Sequence, residues 1–415
     1  MSIESEVCKM TDLINAHREW RCECWNLIAS ENTPSAEVEA LLANPLSHRY
    51  GDYEGIDLSA RKYRGNRFIV EIERCAQQAA AALFGARFAE LRPLSGHIAG
   101  IAPMMALCKP GDAIVELERE AGGHRLAGKF VNCPLVQLRT LKLPFDGAAF
   151  NVDLKRTLEM IEKERPRILI LGSSCFLFPL PLAALRSGIQ ALGLDTIIQY
   201  DASHVLGLVA ANTFQRPLEE GADLITSSTH KTLGGPQGGL ILTNDSMLAD
   251  KTGRAVQPGI QANHHLQRMP ALYQTFVEWS GKRASEGSLI IATARALAAE
   301  LDRLGVPMVA KELGYTASHT LLVYAKPLGD AAALANALEQ ANIIAGSCQL
   351  PAPWGPAGLR LGTQEFVRQG LTVDDVPQVA SVIAAVLKGQ IDSETARDRV
   401  KEFVAMLTAR RGWRE

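Results

Sequence analysis

Short, wholly apolar runs recur along this chain with longer amphipathic stretches between them, and that alternation allows few folds. Ala113-Ile114-Val115, Ile168-Leu169-Ile170-Leu171, Thr196-Ile197-Ile198, Leu224-Ile225 and Leu240-Ile241-Leu242 are too short for helices and read as buried strands. Helices between such strands set them side by side and parallel, so the region from about Tyr50 to about Tyr273 is expected to form a mostly parallel sheet. Ligands of such sheets sit at the carboxyl ends of the strands. Two of the runs end on residues of chemical interest. One leads into Tyr200-Asp201-Ala202-Ser203-His204, the other into Ser227-Ser228-Thr229-His230-Lys231-Thr232-Leu233-Gly234-Gly235. A lysine with an upstream strand-end carboxylate is the pairing that pyridoxal phosphate needs. Lys231 would hold the aldehyde as a Schiff base, and Asp201 would keep the pyridine nitrogen protonated so that the ring withdraws electrons from a bound amino acid. An isolated Lys-Thr-Leu would be a surface turn; the polar residues before it, the glycines after it and Asp201 together point to a site.

Composition agrees with an enzyme that handles small molecules. At 415 residues the chain exceeds one ordinary core, and 47% hydrophobic residues suffice for two domains. With 43 basic against 45 acidic residues, neither a nucleic-acid footprint nor a polybasic membrane patch is indicated. No apolar stretch approaches the roughly 20 residues of a spanning helix, and Met1-Ser2-Ile3-Glu4-Ser5-Glu6 lacks a basic region before an apolar one, so a cytoplasmic protein is expected. The eight cysteines are scattered, without zinc-ligand spacing, and are expected to be thiols, with no metal site.

The expected layout has three parts: an N-terminal helical arm over 1–48, a large cofactor-binding domain over 49–280 and a smaller C-terminal α/β domain over 281–415. In the arm, Ile14, Trp20, Trp25 and Leu27 are expected to clamp onto another surface. In the small domain, a helix over about 285–304 is followed by the strand Thr320–Tyr324, the helix Ala331–Gln340, Arg360 and a closing helix over about 374–387.

Other residues can be given chemical tasks. Ser95, Gly96 and His97 begin a helix after a Pro-Leu turn, which reads either as a phosphate-binding helix start or as a simple cap. His124, after two glycines, can approach a flat ring closely, although a lone loop histidine is often only solvated. His204, three residues after Asp201, reads as a cofactor contact or as a satisfied core histidine. Arg360 offers a planar fork that suits an amino-acid carboxylate.

Taken together, these segments resemble the serine hydroxymethyltransferase family. Thr229-His230-Lys231-Thr232 is similar to its signature, Leu27-Ile28-Ala29-Ser30-Glu31-Asn32 to its N-terminal segment, Pro93-Leu94-Ser95-Gly96 to its phosphate loop, Gly122-Gly123-His124 to its stacking loop and Arg360-Leu361-Gly362-Thr363 to its carboxylate-binding segment. His204–Leu208, Gly235–Gly239 and Asn263–Leu266 look most like the archaeal-type branch. The resemblance implies a pyridoxal-phosphate enzyme of fold type I, aspartate-aminotransferase-like, acting on a small amino acid as a homodimer. It carries His230 and Tyr63 over as catalytic residues, Ser174 and Ser228 as cofactor contacts, and Ser30 and Tyr50 as substrate contacts. Tyr50 and Pro258-Gly259 are expected to cross to the neighbouring subunit, Gly259 reaching its cofactor.

The departures bear on the reaction. The family's Tyr-Ala-Glu, whose glutamate serves the folate-dependent step, reads Tyr50-Gly51-Asp52 here, a carboxylate one methylene shorter. A longer connection, Tyr53 to Ala60, follows. Arg119 and Arg125 stand where the family has apolar residues flanking the folate ring, and Gly346-Ser347-Cys348 replaces its Asn-Lys-Asn. Arg119 and Arg125 are therefore expected to line the pocket mouth and bind a substrate that carries oxygens or a carboxylate, where a neutral pterin would bind poorly; the alternative is that both point to solvent. The expected function is a folate-independent lyase acting on a bulky amino-acid conjugate, such as an S-substituted cysteine, by β-elimination, retro-aldol cleavage or decarboxylative deamination. In this the chain looks similar to the serine-hydroxymethyltransferase-like enzymes of lincosamide antibiotic pathways. The alternatives are serine–glycine interconversion with tetrahydrofolate and a non-catalytic paralogue.

Overall fold

The computed structural model describes residues 3–129, 137–281 and 283–411. The chain forms two compact units: Ser30–Ser288 with Gln349–Pro356, and the chain up to Ala29 with Leu289–Cys348 and Ala357 onwards.

The first unit is built on a seven-stranded sheet of β1 (Phe88–Glu90), β2 (Ala113–Glu116), β3 (Arg139–Lys142), β4 (Ile168–Leu171), β5 (Ile197–Asp201), β6 (Leu224–Ser228) and β7 (Gly239–Thr243), in the order β1-β7-β6-β5-β4-β2-β3. Strands β3, β2, β4, β5 and β6 run parallel, and β7 is antiparallel to both β6 and β1. Every residue of β2, β4, β6 and β7 is buried, which is why the apolar runs within those strands show no alternation with polar residues. The edge strands β1 and β3 were not expected. β1 has only three residues, and β3, Arg-Thr-Leu-Lys, carries the polar ends of a strand facing water.

Four helices of this unit position the site: α1 (Arg67–Phe84), α2 (Gly96–Leu107), α3 (Leu206–Ala210) and α4 (Arg268–Ser280). Residues 30–48 also belong here. Asn32 donates to the Thr232 carbonyl at 3.2 Å, Ser35 to Glu278 at 2.6 Å and Asn44 to the Gln267 carbonyl at 2.9 Å. Pro351–Pro356 packs on the Gly147 turn, where an added Cβ would meet the Ala352 carbonyl.

In the second unit β8 (Thr320–Tyr324), β9 (Gly346–Cys348) and β10 (Gly358–Gly362) form an antiparallel sheet in the order β8-β10-β9. Trp25–Asn26 pairs in parallel with Ile343–Ile344. Trp25 and Leu27, expected to clamp onto another surface, are instead core residues of this unit: the Trp25 ring stacks on Phe366 at 5.6 Å and meets Phe403 edge-on at 5.3 Å. The helix expected to close the chain, observed as Val376–Leu387, is followed by another, Ser393–Arg411. Among its described residues that last helix buries Ala396, Val400, Phe403 and Leu407, one narrow stripe in an otherwise largely polar sequence. No helix among the described residues is long and apolar enough to cross a membrane.

Candidate active site

The carboxyl ends of β4, β5 and β6 open onto a cavity of about 240 Å³ lined by residues of the first unit alone. Lys231 and Asp201 both face it, with His230 and His204 from the same two strand-end loops, Ser95, Gly96 and His97 from the start of α2, His124 from the loop after β2, and Ser174 and Ser228. Ten residues separated by up to 136 positions in sequence therefore meet in one place. Gly172, Ser173 and Ser203 line the cavity as well and were not anticipated. A cue existed for the first two: they directly follow the buried strand β4, where sheet ligands bind.

The Lys231 loop is fixed from several sides. Thr229 donates to the Pro236 carbonyl at 2.5 Å, and the Gly234 amide to the Lys231 carbonyl at 2.9 Å, with Gly234 in the left-handed region at φ +63°. The Leu233 carbonyl accepts from Trp279 Nε1 at 2.8 Å and from Arg283 at 3.0 Å. Thr232 Oγ1 accepts the Gly207 amide at 3.0 Å, and an added Cβ at Gly207 would lie 2.5 Å from the Thr232 carbonyl, so glycine lets α3 sit directly on the loop. Lys231 Nζ ends 3.2 Å from His204 Nε2, and Asp201 accepts the Ser203 amide at 3.0 Å.

Ser95 stands at the start of α2, where its two readings do not exclude each other. Its hydroxyl caps α2 by accepting the Ile98 amide at 3.1 Å, and the first turn of that helix still lines the cavity. A Cβ at Gly96 would lie 2.8 Å from the Ser228 amide nitrogen, so this glycine brings the helix start onto the end of β6. On the loop after β2, Glu116 accepts the Ala127 amide at 3.1 Å and the Gly128 amide at 2.6 Å, and Ser174 donates to the Gly122 carbonyl at 2.9 Å. Loss of water around the buried ring lowers the pKa of His230, with Lys231 adding to the effect, and His97 is lowered by burial and then Lys129. His124 keeps solvent contact on one side, yet partial burial first and Lys129 second push it down to about 4.

The arginines depart from expectation. Arg119 is exposed, and Arg125, held at φ +54°, turns its guanidinium to Glu118 at 2.8 Å. Neither lines the cavity, and Arg125 carries no unpaired charge. Tyr50, Asp52 and Tyr63 lie together before α1: the two tyrosine rings are 5.3 Å apart and 56% and 38% exposed, and the Asp52 carbonyl accepts the Lys62 amide at 3.1 Å. Gly259 lies in the helical segment Ala255–Ile260 and Ser30 at the start of this unit; neither is among the cavity's lining residues. Arg360 occupies the middle of β10 in the second unit, opposite Leu322 and Gly346. No cluster of His, Cys, Asp and Glu suited to a metal occurs among the described residues.

Sequence reading also missed a buried network beneath Tyr50 and Tyr63. Arg61 pairs with Glu73 at 2.5 Å, Glu73 with His264 at 2.6 Å, and Arg61 donates to the Gly51 carbonyl. The guanidinium groups of Arg61 and Arg92 lie 4.5 and 3.9 Å from the centre of the Tyr53 ring, while Arg92 also donates to the Tyr53 and Gly55 carbonyls. The long connection after Tyr53 is thus tied at its neck by the Tyr53–Arg61 bridge.

A primary amine, a strand-end carboxylate, a serine-capped helix start and an imidazole approached through glycines suit an aldehyde, a ring nitrogen, a phosphate and a flat ring respectively. Comparison with known proteins agrees. Residues 3–383 match the serine hydroxymethyltransferase family. The chain belongs to that family. A serine hydroxymethyltransferase of Pyrobaculum calidifontis is 37% identical over 407 residues, 96% of this chain and 93% of that protein. That of Aeropyrum pernix is 36% identical over 405 residues, 96% and 91% of the two chains. Among solved structures, the L-threonine transaldolase from Pseudomonas fluorescens, in its internal aldimine state, superposes with a TM-score of 0.90 at 27% identity, covering 98% of this chain and 93% of that one. As a serine hydroxymethyltransferase family member, the protein is a fold type I enzyme whose cofactor is pyridoxal phosphate.

Proposed function

We propose that this enzyme cleaves, or in reverse forms, the Cα–Cβ bond of a β-hydroxy-α-amino acid without folate, giving glycine and an aldehyde. When bound, pyridoxal phosphate supplies an aldehyde for an amine and an electron-poor ring that delocalises the charge left at Cα. The observation that carries the reading is the set of histidines around Lys231. His97 and His230 share its cavity, and burial lowers both, so each imidazole is neutral near pH 7 and able to take a proton from a β-hydroxyl. A protein base for that proton removes the need for a second substrate to drive the cleavage. Lys231 holds the cofactor, Asp201 its ring nitrogen, Ser95, Gly96, His97 and Ser228 its phosphate side, with Ser174, His124 and His204 around the ring. Arg360 fixes the substrate carboxylate, and Ser30, Tyr50 and Tyr63 complete the pocket. Asp52 stands in place of the family's folate-serving glutamate.

Retro-aldol cleavage is favoured over elimination from an S-substituted cysteine because the similar solved structure is a threonine transaldolase. A homodimer is part of the proposal, since Tyr50 and Tyr63 present exposed rings to a neighbour; a monomeric active species in sedimentation would exclude it.

Incubating the purified enzyme, without folate, with serine, threonine, a bulky β-hydroxy amino acid and a set of S-substituted cysteines tests the reaction type. Aldehyde and glycine should appear in equal amounts from the β-hydroxy substrates. Release of thiol, ammonia and a keto acid from the cysteines alone would replace this reading with β-elimination.

A further inference from the structure

We propose that Lys129 is a positioning residue whose ammonium donates to Nε2 of His124 and so holds that imidazole as the neutral Nδ1–H tautomer at the cavity wall. Lys129 Nζ lies 2.9 Å from His124 Nε2. An ammonium has donors only, so Nε2 must accept, and a neutral imidazole that accepts at Nε2 carries its proton on Nδ1. The ring is held from a second side by His97, which meets it edge to face at 5.6 Å. Among the charges that reach the ring, Lys129, Lys231 and His97 oppose its protonation and Asp201 alone favours it. Lys129 in turn feels the cation of Arg119 and the carboxylate of Glu116.

The inference rests on the proposed place of His124 against the cofactor ring. A protonated imidazole on the face of a protonated pyridine would set two positive charges directly against each other. Burial first and Lys129 second make protonation of His124 unfavourable until the pH is well below neutral. The same contact fixes the ring's orientation, because rotating the imidazole would exchange the acceptor nitrogen for a donor.

Nitrogen NMR of the full-length protein reads the state of His124 directly, in the holoenzyme and after removal of the cofactor, with the signal assigned by its loss in His124→Gln. The expected wild-type spectrum is that of the Nδ1–H tautomer, titrating near the value of about 4 set by burial and Lys129. Lys129→Met should raise that pKa by about one unit and mix the tautomers, because the cation and the donor are both gone. Lys129→Arg, which keeps both, should restore the wild-type spectrum. An unchanged tautomer and titration in Lys129→Met would overturn the proposal. Cofactor affinity separates the two levels. If Lys129→Met loses about three times as much affinity as wild type between about pH 8 and about pH 4.5, the ring meets the cofactor; if the NMR shift occurs with the two pH profiles of affinity alike, Lys129 sets the tautomer as proposed and the place of His124 against the cofactor is refuted.

Discussion

Lys231→Ala is expected to lose turnover by a factor on the order of 10⁴ or more and to leave the purified protein without the absorbance of bound cofactor. The reason is local. Lys231 is the sole lysine among the described residues that line the cavity, and the loop that carries it is fixed through Thr229, Thr232, Leu233 and Gly234. Borohydride reduction of the wild-type enzyme followed by peptide mass measurement should place the cofactor on Lys231 and nowhere else. Turnover within tenfold of wild type in Lys231→Ala would show that the cavity is not where the chemistry occurs.

Glu73→Ala should be the most damaging single change to stability in the first unit outside its apolar core. Glu73 and Arg61 are 2% and 5% exposed, and Glu73 also holds His264. Removing the carboxylate leaves a buried guanidinium without its partner, a change that costs about 3–5 kcal/mol. Urea unfolding of the variant should show the loss. The double variant Arg61→Met with Glu73→Met should recover much of it, since two apolar side chains leave no charge stranded. A loss no greater in Glu73→Ala than at an exposed carboxylate such as Glu71 would mean that the network does not hold the Tyr50–Tyr63 segment. Because Arg61 binds the Gly51 carbonyl, the same variant should also disturb Asp52 and the two tyrosines, and hence substrate binding more than cofactor binding.

Much of this site was legible because its chemistry is tied to local pattern. Lys231 and Asp201 follow buried apolar runs, and in the structure those runs are the adjacent parallel strands β5 and β6, which place the two ends together. What stayed hidden depends on contacts distant in sequence. Glu73 and His264 are 191 residues apart, and neither sits in a pattern that names the other. Ser203 was in view, but its role shows only where its hydroxyl accepts the Ser228 amide at 3.0 Å from the next strand. Arg119 and Arg125 show how little the sequence says about the direction of a long side chain. Position relative to the family suggested a pocket lining, yet one side chain is exposed, and a left-handed backbone at Arg125 turns the other toward Glu118. Direction of a long side chain is a matter of backbone dihedral and nearest carboxylate, neither of which composition records.

With the arginines set aside, independence from folate rests on the neutral histidines of the cavity and on the shortened carboxylate of Asp52. The rate of glycine formation from serine, measured with and without saturating tetrahydrofolate, tests that claim most directly. Equal rates in the two conditions, with threonine or a bulkier β-hydroxy amino acid cleaved faster than serine, are predicted. Serine cleavage that rises by several orders of magnitude on adding tetrahydrofolate, to the ordinary enzymatic range of about 1 to 10³ per second, would contradict the account and make the protein a folate-dependent serine hydroxymethyltransferase.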